Sequence, residues 1–150
     1  SKLLMIGDGP ERIKAEQLSR ELGLENKVKF LGKLKVIDKM LAISDVFVLP
    51  SETESFGLVA LEAMASNTVV ISTNSGGISE VNIEGETGFL SNVGDVVKMA
   101  EDTIFLLKNP ELLTDFKRNA LEHAKSFSLK NVLPKYNAIY QSLCHTRKNK

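Results

Sequence analysis

Short apolar runs alternate with segments of helical period along the first two-thirds of the chain. Runs at 3–6, 28–31, 46–49, 69–72 and 88–90 are each bounded by Gly, Pro or polar turn residues. They read as short strands, and the stretches between them read as helices. This alternation predicts an α/β fold in which a parallel sheet is flanked by helices. Pro10 suits a helix start, and the helix that follows is expected to carry Ile13, Leu18 and Leu22 toward a core and to stop at Gly23. Further helices are expected at 36–44 and 57–65, with a short one after the Gly-rich loop 73–77. Past Asp95, an expected N-cap, three helices follow without an intervening strand: 96–107, 111–127 beyond the Asn109-Pro110 break, and 131–143. The last shows Val132, Leu133, Tyr136, Ile139, Tyr140 and Leu143 at helical spacing, read as packing, and residues 144–150 read as a polar tail.

Composition narrows the partners more than the fold. The 150 residues make one domain of 1–143, with roughly two-thirds of the unfolded surface buried in a single core. Nineteen basic residues balance nineteen acidic ones, and no basic stripe carries interleaved aromatics, so a small molecule is expected rather than a nucleic acid. No apolar run reaches membrane length, and the single cysteine cannot form an internal disulfide, which fits the cytoplasm. Ser1 leads directly into a strand-like run, so the chain is read as a domain whose upstream part is missing.

In an open parallel sheet, ligands gather where loops leave the carboxyl ends of strands, and helix N-termini there offer free N–H groups to anions. Three loops qualify: 7–10, 51–57 and 73–77. The second is the most informative. Glu54 lies in it and Glu62 eight residues later, about two turns inside a helix that is apolar nearly all round. Such a helix is expected to be buried, and its lone carboxylate to need a partner. A vicinal diol such as a ribose would supply two hydrogen bonds, and a Lys, Arg or backbone group would serve equally. Glu54 could contact a ligand, or could simply be a favourable charge at the positive end of the helix. Phe56-Gly57 opens the backbone to close approach, and first-turn N–H groups suit a phosphate. An anionic, hydroxyl-rich ligand satisfies these features together.

The other candidates carry less. Gly7-x-Gly9 lacks the third glycine of a dinucleotide fingerprint, because Arg12 stands in its place. Gly76-Gly77 could be a turn or a ligand loop. His123 and His145 read as surface residues, Cys144 as an inert helix-end thiol, and no metal-ligand cluster is apparent.

These residues resemble those of the family 4 retaining glycosyltransferases of GT-B fold, whose two Glu residues are separated by seven positions, as Glu54 and Glu62 are. The likeness extends through Asp45-Val46-Phe47-Val48-Leu49-Pro50-Ser51 to Ala65, and includes Gly7-Asp8-Gly9-Pro10, Phe30-Leu31-Gly32, Gly76-Gly77-Ile78-Ser79-Glu80-Val81 and Gly88-Phe89-Leu90. The resemblance implies the Rossmann-like C-terminal, donor-binding domain of such an enzyme. It implies that Glu54 contacts the transferred sugar and that the backbone at Phe56, Gly57 and Leu58 approaches sugar and diphosphate. It also implies that Glu62 grips the ribose, that Lys33 lies near the base, and that Gly7 and Gly9 belong to the donor site. The C-terminal helix would dock on a missing N-terminal domain, and in this chain would be partly orphaned. Ser66-Asn67-Thr68 departs from the family, which commonly has Gly at Asn67, yet Asn tolerates the left-handed backbone a turn there requires.

At its narrowest, in Glu54-Ser55-Phe56-Gly57-Leu58 and Ser91-Asn92-Val93-Gly94-Asp95, the resemblance implies UDP-N-acetylglucosamine as donor and L-malate as acceptor. That reaction opens bacillithiol biosynthesis in bacteria. The expected mechanism is hexosyl transfer from a UDP-sugar to a small acceptor, with no cofactor and no metal. Transfer in polysaccharide or glycolipid synthesis, a GT-B sugar-nucleotide epimerase, and a non-catalytic nucleotide-binding module are the alternatives.

Overall fold

Strand β1 (Leu3–Ile6) pairs in parallel with β2 (Val28–Gly32), Leu3 opposite Val28 and Met5 opposite Phe30, and helix α1 (Arg12–Glu21) connects them. These elements are drawn from a computed structural model that describes residues 1–148, with side chains through 144. The chain divides into two compact units, Ser1–Ile37 and the segment from Asp38 onward. Each carries its own parallel sheet, so the expected sheet is present as a pair and a trio of strands.

In the first unit α1 ends as its sequence predicts. Gly23 takes φ +66° and donates to the Arg20 carbonyl, while Leu24 donates to that of Ser19. This left-handed closure satisfies two carbonyls that the helix leaves open. The expected inward stripe is not found: Ile13, Leu18 and Leu22 are 74%, 54% and 61% exposed. Ala15 and Ser19 lie on the covered face instead, beside Arg12 and Glu16. The spacing explains the error, because Ile13 and Leu18 are five residues apart and so about 140° apart around the helix. The helix begins at Arg12, leaving Pro10 in the preceding turn.

The second unit opens with α2 (Asp38–Ala42), shorter than the 36–44 expected, and continues through β3 (Val46–Leu49), α3 (Leu58–Ala65), β4 (Val69–Thr73), α4 (Ile78–Val81) and β5 (Gly88–Ser91). The strands pair in parallel in the order β3-β4-β5, with Leu49 opposite Ser72 and Thr73 opposite Ser91. All five residues of β4 are buried, as a central strand covered on both faces requires. Val69 and Ile71 pack with Met99 and Leu106 of α5 (Val96–Lys108) and Phe116 of α6 (Pro110–Ser126). Asp95 caps α5 through the Lys98 N–H at 3.0 Å, as expected, and α6 opens on Pro110, one residue before the expected start, and ends at Ser126.

The α3–β4 turn confirms the reading of Asn67. It is the one non-glycine at positive φ among the described residues, +63°, with its N–H on the Met64 carbonyl and that of Thr68 on the Ala63 carbonyl. Thr68 in turn donates its hydroxyl to the Leu41 carbonyl at 2.6 Å, tying α2 to the head of β4.

Helix α7 spans Leu129–Lys148, beginning two residues earlier than expected and running past the expected end. Its apolar stripe does not pack within the chain: Leu133, Tyr136, Ile139, Tyr140 and Leu143 are each about half or more exposed, which agrees with the orphaned helix the resemblance implies. Cys144 is a free, exposed thiol inside this helix, not at its end. The side chains expected to form a polar tail, His145 included, lie outside the described residues.

Candidate functional site

Loops 50–57, 73–77 and 92–95 leave the carboxyl ends of three neighbouring parallel strands, where an α/β sheet gathers its ligands. The first two are tightly joined. The Thr73 hydroxyl donates to the Ser51 carbonyl at 2.6 Å, and that of Ser75 donates to the Glu52 carbonyl at 2.8 Å. A Cβ on Gly76, whose φ is +61°, would stand 1.8 Å from the Glu54 carbonyl oxygen, and one on Gly77 would stand 2.6 Å from that of Ser55. The Gly76-Gly77 pair thus lets two backbones lie against each other. The third loop joins through Asn74, whose side-chain amide donates to Asn92 at 2.9 Å.

Within this frame Glu54 is half-buried, and its Oε1 accepts the Gly57 N–H at 3.1 Å. The bond fixes the entry to α3 through one carboxylate oxygen. Gly57 is buried at φ +91°, in a space so close that a Cβ would meet Ile78 Cδ1 at 2.4 Å. Behind it the Ala60 and Leu61 N–H groups both reach the Gly57 carbonyl, and those of Leu58 and Val59 come before this first intrahelical bond, the ordinary condition of a helix start.

Glu62 corrects the sequence reading. Helix α3 begins at Leu58, which puts Glu62 just over one turn inside it, not two. The carboxylate is exposed, and it shares an outward face with Leu58, 67% exposed, and Ala65. Ala60, Ala63 and Met64 make the buried face. A carboxylate in water needs no neutralising partner, so the desolvation argument does not apply to it.

Gly7, Gly9 and Lys33 belong to the first unit, where the backbone ties Gly7 to the residue before Lys33. The Gly7 N–H donates to the Gly32 carbonyl at 2.9 Å, joining the loops that leave β1 and β2, and Lys33 follows with an exposed side chain. A cavity of about 290 Å³ opens beside the two glycines, lined by Gly7, Gly9, Pro10, Arg12 and Phe30. Arg12 reaches Glu16 at 2.8 Å and Asp8 at 3.4 Å; its bond to Glu16, with both carboxylates nearby, holds the guanidinium pKa above its ordinary value.

Two features escaped sequence reasoning. Asn82, fully buried, donates its amide toward the Val70 and Phe89 carbonyls and the Ser72 hydroxyl, and accepts from Thr87. It pins the end of α4 to β4 and β5. Its partners are spread over two strands and the loop before β5, and no local pattern announces them. His123, expected at the surface, is half-buried with its Nε2 enclosed; its ring meets Phe127 edge-on, and Phe127 meets Phe56. Among the described residues no three His, Cys, Asp or Glu side chains come together as a metal site, and no helix is long and apolar enough to cross a membrane.

A family model described as glycosyl transferases group 1 matches residues 1–123. The chain belongs to the group 1 glycosyl transferases. Among the relatives of this group 1 domain, the N-acetyl-alpha-D-glucosaminyl L-malate synthase of Bacillus anthracis is 43% identical over 150 residues, 99% of this chain and 39% of the relative. The D-inositol 3-phosphate glycosyltransferase of Corynebacterium urealyticum is 36% identical over 91% of this chain and 33% of that protein. The chain therefore spans well under half the length of these relatives. Of solved structures, Anabaena HepE in complex with UDP superposes with a TM-score of 0.86 at 27% identity, over 94% of this chain and 41% of HepE. The parallel α/β fold and the GT-B kinship of the sequence reading stand on these likenesses.

Proposed function

We propose that this group 1 domain holds the nucleotide-sugar donor of a retaining hexosyltransferase, and that the donor sits over the start of α3. The observation that carries the reading is the arrangement around Gly57: a glycine-opened helix start at the carboxyl end of the sheet, with Glu54 on its loop side and Glu62 on its exposed face one turn on. The diphosphate takes the free N–H groups of the first turn, aligned with the positive end of the helix dipole. Leu58 and Glu62 share the outward face, so a ribose lying along it reaches the Glu62 carboxylate, which accepts from both hydroxyls of a vicinal diol. Glu54, held in place by the Gly57 N–H, presents its remaining oxygen to the sugar. In the first unit, Gly7, Gly9 and Lys33 are proposed as donor-binding residues in their own right, Lys33 for the base.

The donor in this reading is UDP-N-acetylglucosamine and the acceptor L-malate, a choice supported by the 43% identity to the N-acetyl-alpha-D-glucosaminyl L-malate synthase of Bacillus anthracis; the proposed setting is bacillithiol biosynthesis in a bacterial cytoplasm. Transfer proceeds without a bound metal, because main-chain N–H groups and basic side chains stabilise the departing diphosphate. Acceptor-binding residues come from parts of the protein beyond this domain.

Incubating the intact protein with UDP-N-acetylglucosamine and L-malate tests the proposal. The expected product is the α-linked N-acetylglucosaminyl malate, seen by NMR of its anomeric proton, with the rate unchanged in excess chelator. Interconversion of the donor sugar without an acceptor would instead mark an epimerase. Loss of activity on chelation would remove the metal-free step, and full transfer by Glu62→Gln would remove its ribose role.

A further inference from the structure

We infer that His123 and Phe127 are positioning residues for the start of α3, holding Phe56 through a chain of three edge-to-face rings. The inference rests on the reading of that helix start as the donor site. His123 and Phe127 lie four residues apart at the end of α6, so their rings fall on one face of the chain. Their centroids are 5.1 Å apart with the planes at 76°, and Phe127 meets Phe56 at 6.0 Å and 67°. Both geometries place the electropositive edge of one ring on the electronegative face of the next, the arrangement that aromatic quadrupoles favour.

Phe56 immediately precedes Gly57, so where its ring goes the entry to α3 must follow. The loop is already gripped by Thr73, Ser75 and the Gly76-Gly77 pair at residues 51–55. The ring chain adds a grip at residue 56, from an element far away in sequence. Loop 51–57 is therefore held at both its beginning and its end, as a preorganised binding loop needs to be.

The nitrogen of His123 shows what the ring is for. Nε2 is buried and has no hydrogen-bond partner among the described residues. A buried imidazole kept for proton transfer or hydrogen bonding would have that nitrogen engaged. One kept for its flat aromatic shape would not need it. Phenylalanine should therefore replace His123 without loss, and alanine should not.

The test uses the intact protein and UDP as the probe. Calorimetric titration should give His123→Phe the same UDP affinity as the native protein within about twofold, while His123→Ala and Phe127→Leu weaken it by about tenfold, the order expected for losing an aromatic pair at a binding loop. Phe127→Leu keeps apolar volume, so its thermal midpoint should stay near native even if that of His123→Ala falls. In parallel, the Gly57 amide resonance without nucleotide should move in His123→Ala and Phe127→Leu and stay put in His123→Phe. If the native protein binds UDP and the two disruptive variants bind it equally well, the inference is overturned. It is also overturned if His123→Phe loses binding, because the nitrogen would then be in use. Should the native protein not bind UDP, the donor reading fails by itself, and the Gly57 resonance still decides whether the rings position the loop.

Discussion

Gly57 and Gly76 both hold a positive φ, yet a methyl group would meet different things at each. At Gly57 it would press on Ile78 Cδ1, the tip of a flexible side chain that can turn away. Gly57→Ala should therefore cost chiefly the left-handed backbone, about 1–2 kcal/mol in urea unfolding. At Gly76 the methyl would sit inside the contact distance of the Glu54 carbonyl, which cannot move without its loop. Gly76→Ala should cost more, about 3 kcal/mol or above, by adding overpacking to the backbone strain. Equal costs at the two sites would contradict the close approach of the loops. Glu54 separates structure from chemistry in the same way. Gln keeps an oxygen for the Gly57 N–H, so Glu54→Gln should hold stability within about 0.5 kcal/mol, whereas Glu54→Ala loses about 1 kcal/mol as a helix-entry bond disappears. Transfer should fall about a hundredfold in both if the charge serves the transition state. A fully active Glu54→Gln would show that this carboxylate is only a cap.

At the scale of elements, what could be read in the sequence was whatever a local rule decides. Gly23 and Asn67 close helices in the left-handed conformation because only a few residue types tolerate it, and Asp95 caps α5 because its oxygen reaches the third N–H onward. Strand positions followed from apolar runs bounded by turns. Facing was the weak point. Helix α3 is apolar nearly all round, so composition could not say that Leu58, Glu62 and Ala65 turn outward. Helix α1 covers Ala15 and Ser19 where larger side chains were expected. Buried polar ties were invisible for a different reason: Asn82 and His123 owe their roles to partners on other elements. Asn82→Ala should destabilise the second unit by about 2–4 kcal/mol in thermal or urea unfolding, because several buried groups lose a partner at once. Asp95→Ala, which removes a single, partly buried cap bond, should cost about 1 kcal/mol. Reversal of that order would mean the Asn82 network contributes little.

For the molecule as a whole, pH reports on Lys98. Its hydrogen bond to Asp102 at 2.6 Å, with Glu84 at 3.5 Å, holds the ammonium above its ordinary pKa of 10.5. The ion pair therefore contributes in full below that value, and its contribution is lost as pH rises through the raised one. Between pH 9 and 12 the native protein should lose stability more steeply than Lys98→Met, by a small margin because Lys98 is 39% exposed and screened. Parallel slopes would show that the pair does nothing. The relatives are more than twice as long as this chain, and under the proposed function transfer would need more than this domain. Residues 1–150 alone should bind UDP weakly and turn over no donor; measurable transfer by that fragment would show that it carries a complete active site.

The near-contact of Gly76 with the Glu54 carbonyl also sets a unit of exchange. Loops 51–57 and 73–77 fit as a matched pair, so a change of donor preference brought in by grafting the first loop from a relative has to bring the second with it. If the donor sits here as proposed, a library that varies either loop alone will be filtered by folding before it is filtered by sugar.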